Sequence, residues 1–136
     1  MPDIRDSMII AGSGMKVQSD RLRIIAQNLA NADSVALTPG GDPYRRKTIT
    51  FKNVLDREMG VSKVDVARYG VDNTPFRLKY DPGHPAANAE GYVKMPNVSS
   101  IIEIVDMREA QRAYEANLNV IEVSKAMVSS TLQLIR

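Results

Sequence analysis

At 136 residues with a net charge of +2, the chain is about one domain long and has no general electrostatic pull toward nucleic acid or an anionic membrane. It contains no cysteine, which excludes disulfides, thiolate metal sites and cysteine nucleophiles. Two Phe, no Trp and seven Met leave few large rigid anchors, so burial must rest on aliphatic side chains and Met.

The amino terminus, MPDIRDS followed by the short apolar run MIIAG, has neither the basic n-region nor the h-region length of a secretory signal. No run reaches the length of a membrane span, so neither a cleavable signal nor membrane insertion is expected. From Ile4 to Ala32 there is no proline. Met8, Met15, Leu22 and Leu29 fall seven apart, with Ala11, Gln18, Ile25 and Ala32 three residues after each. That is an a/d seam, and it predicts a helix roughly 40 Å long. Gly12 and Gly14 each weaken it by about 1 kcal/mol relative to Ala, which predicts a bend or a frayed first third.

The helix ends in NLANAD, residues 28–33. Asn31 suits a left-handed C-terminal position, and Asp33 and Ser34 begin a loop. Asn28 lies a turn inside, where its amide can hydrogen-bond across a helix interface and set register.

Residues 34–96 hold most of the prolines and turn dipeptides, including TPGGDP and DPGHP. Between them, stretches at 47–51, 61–66, 76–80 and 91–95 are β-rich and partly alternating, and they predict one small antiparallel β element with one apolar face. Gly12-Ser13-Gly14-Met15-Lys16 lacks the frame of a phosphate loop. Arg45-Arg46-Lys47 reads as the solvated edge of a strand rather than a nucleic-acid patch. His84, the single histidine, sits in a turn between Gly83 and Pro85, and the carboxylates are scattered singly. No catalytic, cofactor-binding or metal residue is expected.

The segment 97–136 repeats the helical pattern. Tyr114, Leu118, Ile121, Lys125, Val128, Leu132 and Ile135 alternate steps of four and three, and Val98, Ile101 and Val105 extend an apolar face upstream. Pro96 and Asn97 stand where the helix begins, and Glu103, Asp106 and Glu109 suit its amino-terminal turns. Asn117 and Asn119, around Leu118, mirror the amides around Leu29. The expected fold is α+β, with long amino- and carboxyl-terminal heptad helices packed as a helical pair and a small antiparallel β element between them. Its expected segments are 1–33, 34–96 and 97–136. The β element is too small to cover both apolar helix faces, which points to assembly.

The phrases IIAQNLANADS in the first helix and QRAYEANLNVIEVSKAM in the last, with the order helix, β element, helix, resemble the bacterial flagellar rod, hook and hook-filament axial proteins. GYVKMPNV at 91–98, the small middle segment, and NADS followed by PYRRK are most similar to the proximal rod members of that family. The resemblance implies a structural subunit of the basal-body rod crossing the periplasm, with no cofactor. It implies passage through the flagellar type III export apparatus without a cleavable signal peptide. The implied partners are copies of itself and other rod proteins in a helical assembly, with a rod-base adaptor or MS ring at the base and no nucleic acid.

The subunit-packing residues expected on the first helix are Met8, Met15, Leu22, Ile25, Asn28, Leu29 and Asn31. Opposite them, within the subunit or across to neighbours, are Tyr114, Asn117, Leu118, Ile121, Val128 and Leu132. The isolated monomer is expected to have termini that order on assembly. The heptads alone also fit a cytoplasmic coiled-coil adaptor that binds a partner helix.

Overall fold

The computed structural model describes residues 3–135; Met1, Pro2 and Arg136, the outermost residues of the expected terminal segments, lie outside it. The element order is α1 (Ile4–Ala30), β1 (Lys47–Asp56), β2 (Val61–Val71), β3 (Arg77–Tyr80), β4 (Tyr92–Met95) and α2 (Ser100–Ile135). This is the expected α+β arrangement, with two long helices flanking β structure. Among the described residues, no helix is long and apolar enough to cross a membrane.

The β structure is two separate two-stranded sheets, β1–β2 and β3–β4, rather than one element. Past the end of β2 the chain is held by a different set of bonds. The Asp72 amide donates to the Arg46 carbonyl at 2.8 Å, and the Thr74 amide donates to Asp72 Oδ1 at 2.9 Å. The Asn97 side-chain amide then donates to the carbonyls of Asp72 and Thr74. Side chains thus hold the chain in place between β2 and β3.

The chain divides into two compact units, and each helix contributes to both. In the unit formed by residues 3–22, 49–68 and 108–135, α1 and α2 run antiparallel. Arg21 meets Glu109 at 3.6 Å toward one end, Gly14 lies against Asn117, and Ile4 and Met8 face Val128 and Leu132 across a groove of about 530 Å³. The buried residues here are Ala11, Val17, Val61, Ala110 and Ser124. Small side chains let the helices approach closely. Ser13 Oγ donates to the Ile10 carbonyl and accepts the Val64 amide, tying β2 to α1. The β1–β2 turn closes on Asp56, whose carboxylate accepts the amides of Glu58 and Met59 and pairs with Lys63 at 2.8 Å.

The first third of α1 is not frayed, because the helix runs unbroken through both glycines. At Gly14 a Cβ would come 2.6 Å from Asn117 Nδ2, whereas at Gly12 it would meet open space. Gly12→Ala therefore raises stability by about 1 kcal/mol through helix propensity alone. Gly14→Leu lowers it by about 1 to 3 kcal/mol by forcing the helices apart. Urea midpoints of the two variants should move in opposite directions; movement of both upward would deny the close approach.

The second unit comprises Arg23–Thr48 and Tyr69–Met107. Its core joins Ile24, Ile25 and Ala32 to Ala86, Val93 and Val98. The stretch GYVKMPNV supplies much of it, with Gly91, Val93, Pro96 and Val98 all buried. β3 and β4 pair antiparallel from Arg77 opposite Met95 to Tyr80 opposite Tyr92, and the two tyrosine rings meet edge to face at 5.2 Å. Gly91 carries φ +87°, and a Cβ there would come 3.0 Å from the Tyr80 ring, so both conformation and space call for glycine. His84 is a turn residue: its Nδ1 accepts the Ala86 amide at 3.0 Å.

Candidate assembly faces and the polar junction of the second unit

A polar junction in the second unit ties the end of α1 to the start of β1, the end of β2 and the first turns of α2. Asn28 is 1 % exposed and stands at its α1 side. Its Nδ2 donates to the Lys47 carbonyl at 2.9 Å, and its Oδ1 accepts both the Lys47 amide at 2.9 Å and the Tyr44 hydroxyl at 2.8 Å. The expected bridge across a helix interface is therefore a different bond: this amide pairs with the edge of a strand.

Arg46 forms the other half of the junction. Its Nε donates to Glu103 Oε1, and its terminal nitrogens lie 3.6 Å from Asp72 and from Asp106. Glu103 is 0 % exposed, and its Oε2 has no hydrogen-bond partner among the described residues. Neutralisation of this buried carboxylate thus rests on Arg46. Burial alone would lower the Arg46 pKa, but the Glu103 hydrogen bond and the charges of Glu103, Asp72 and Asp106 outweigh it and hold the guanidinium above its ordinary value. Burial, and then the Glu103 charge, raises the Tyr44 phenol. Asn97 Oδ1 accepts the Arg46 amide at 2.7 Å, while Arg45 stacks on Phe76 at 4.3 Å and donates to the Asp72 carbonyl.

The run Arg45-Arg46-Lys47 is thus not a solvated edge. Two of its cations turn inward, each meeting groups far away in sequence. Glu103 is likewise an ion-pair partner and not only a helix-terminus charge. Asn97 clips two loops together where a helix start was expected.

Hydrogen bonds from the Thr74 amide and hydroxyl, together with the Arg46 charge, hold the Asp72 carboxyl below its ordinary value of 3.8. A depressed folded-state pKa stabilises the fold above the unfolded value, and that contribution fades as pH falls through the folded one. Asp72→Asn should therefore lower stability at neutral pH and flatten its dependence on pH below 3.8. Equal loss at all pH values in a urea series would contradict this.

The residues expected to pack subunits fall into three groups. Ile25 and Asn28 are buried in the second unit, and Leu29 and Asn31 are half-buried beside them. Asn31 does not adopt a left-handed conformation, since no non-glycine residue among those described has positive φ. Instead its side-chain amide donates to the Gln27 carbonyl at 2.9 Å and closes the helix end. Met8, Met15, Leu22, Tyr114, Asn117 and Ile121 are half-buried, and Leu118, Val128 and Leu132 are exposed.

The buried stripe of α1 is displaced from the heptad seam. Ala11 and Ile25 are buried together with Val17, Ile24 and Asn28, as is Ala32 just past the helix end, while the four positions beginning at Met8 lie at its half-buried flank. On α2, Val120, Val123 (55 % exposed) and Met127 (53 % exposed) form an exposed ridge, while the exposed Val128 and Leu132 lie on the side that faces Ile4 and Met8 of α1. The steps of three and four between Val120, Val123 and Met127 put them on one face, which stays uncovered in the single chain.

Residues 89–134 match the model of the carboxyl-terminal region of the flagellar basal body rod FlgEFG proteins. The chain is 56 % identical over 127 residues to the flagellar basal-body rod protein FlgC of Agrobacterium fabrum, covering 93 % of this chain and 91 % of that one. It is 45 % identical over 125 residues to FlgC of Salmonella typhimurium, covering 92 % of each. To FlgC of Borreliella burgdorferi it is 39 % identical, with 96 % of each chain covered.

Proposed function

The chain belongs to the FlgC family of flagellar basal-body rod proteins, and from that premise we propose that it is a rod subunit that polymerises through the outer faces of α1 and α2 to transmit torque. The observation that carries this reading is the apolar ridge of Val120, Val123 and Met127 that the single chain leaves exposed on α2. A chain whose buried residues on this helix are Glu103, Ala110 and Ser124 has left larger aliphatic residues for neighbours.

In this reading 1–33 and 97–136 are the axial segments and 34–96 lies between them. The packing set comprises Met8, Met15, Leu22 and Leu29 with Tyr114, Asn117, Leu118, Ile121, Val128 and Leu132. Ile25, Asn28 and Asn31 serve assembly from inside the subunit, by holding the end of α1 against β1. Two different faces joined head to tail generate a helical filament rather than a closed dimer. Torque passes through two helices that run without a break, and the role is structural rather than catalytic.

The neighbours are copies of this chain and other rod proteins, with a rod-base adaptor or the MS ring at the lower end. The subunit reaches them through the flagellar export apparatus without a cleavable signal and takes its place in the periplasm-spanning rod. Deletion of the gene in a motile bacterium should give immotile cells whose basal bodies stop before a complete rod, and purified wild-type basal bodies should contain the protein. Intact basal bodies in the deletion strain would refute the rod role and leave a cytoplasmic adaptor binding a partner helix.

A further inference from the structure

Between α1 and the β1–β2 ribbon, the second unit holds a groove of about 530 Å³ lined by Arg23, Ile24, Gln27, Lys47, Tyr69 and Val71. Its chemistry is distinct from that of the apolar helix faces. Arg23 reaches over the Tyr69 ring at 5.9 Å and donates to the Tyr69 hydroxyl at 3.3 Å, while Lys47 Nζ donates to Gln27 Oε1 at 3.2 Å. Two cations thus rim an apolar floor made by Ile24, Val71 and the Tyr69 ring. Tyr69 and Val71 are each about half exposed, so the floor is open to an occupant.

A matching occupant presents two carboxylates on either side of an apolar side chain. This chain carries one. Glu115, Leu118 and Glu122 are spaced by three and four residues on α2, so they share one helix face, and all three are exposed. Asn117, which turns toward Gly14, marks the different face that α2 gives to α1.

We propose that the Arg23–Lys47 groove of one subunit seats the Glu115–Leu118–Glu122 stripe of a second copy of the same chain. Leu118 enters over Ile24 and Val71, and the two glutamates meet Arg23 and Lys47. Because groove and stripe are different surfaces, the contact is heterologous and repeats from copy to copy. The charged rim sets register and rejects misaligned neighbours, a selectivity that an apolar face alone does not supply. The inference rests on the assembly reading above and names one of its contacts.

The lack of native cysteine makes the test clean. Gln27→Cys and Leu118→Cys subunits are expressed together, basal bodies are purified, and mild oxidation is applied. The expected product is a disulfide-linked pair of one copy of each variant. Adding Arg23→Glu and Lys47→Glu to the first variant should cut that product about tenfold or more through like-charge contact. Adding Glu115→Lys and Glu122→Lys to the second should restore it.

Both variants incorporated into rods without cross-linking would overturn the inference while leaving the rod role intact. So would a cross-link indifferent to the charge changes. Variants that fold in solution but never enter basal bodies are checked by a photoreactive residue at position 27 of otherwise wild-type protein. Its capture of a second copy supports the contact, and its capture of another rod protein overturns it.

Discussion

Replacing Arg46 with Met should lower the stability of the isolated subunit by about 3 to 5 kcal/mol, the loss expected when a buried ion pair is broken from one side. Glu103 is 0 % exposed and is left with no cation, and its second oxygen already lacks a hydrogen-bond partner among the described residues. Removing Arg46 also takes away the positive charge that Asp72 and Asp106 share with Glu103. Part of the loss belongs to the orphaned carboxylate rather than to the pair. Arg46→Met with Glu103→Leu should therefore recover most of the stability, because two apolar groups of similar volume replace two charges. Urea unfolding of the single and double variants decides this. A double variant no more stable than Arg46→Met would show that the damage is not an uncompensated charge.

Asn28→Ala is expected to cost about 3 kcal/mol, since the Lys47 amide and carbonyl and the Tyr44 hydroxyl all lose their partner in a buried setting. Asn31→Ala, which gives up a single helix-end bond on a half-buried residue, should cost no more than about 1 kcal/mol. Hydrogen exchange adds a local reading, because the Lys47 amide should lose protection in Asn28→Ala well before amides at the centre of α2 do. Equal effects from the two substitutions would mean that the NLAN amides act only as helix-end groups. Any assembly defect in Asn28→Ala then follows from a loosened subunit and not from a lost contact between subunits.

The contrast between these two asparagines shows what the sequence could convey. Both helices were legible, with ends close to the observed ones, because heptad spacing and the lack of proline act locally. The strand stretches at 47–51, 61–66, 76–80 and 91–95 were legible for the same reason. Their division into two sheets was not, because local alternation marks a strand but does not say which strands pair.

Periodicity reports which residues share a face but not what covers it. Ile25 and Asn28 are covered by their own chain, while Leu118 and Leu132 on the same kind of pattern are left exposed. The Arg45-Arg46-Lys47 run misled for a related reason: a basic run looks alike whether water or a distant glutamate meets it. One signal was available in SIIEIV, where Glu103 interrupts an otherwise apolar stretch. A charge there calls for a buried partner, and half-buried Arg46 is that partner.

In the proposed rod, the exposed ridge of Val120, Val123 and Met127 on α2 serves neighbours and not the subunit's own core. It is tested most directly by the double variant Val123→Glu, Met127→Asp, at two residues more than half exposed in the single chain. The measurement is its incorporation into purified basal bodies, alongside its unfolding midpoint as an isolated subunit. Stability should stay within about 1 kcal/mol of the wild type, since exposed sites tolerate substitution, and no rod should be completed. A stable variant that enters the rod and supports normal motility would contradict it.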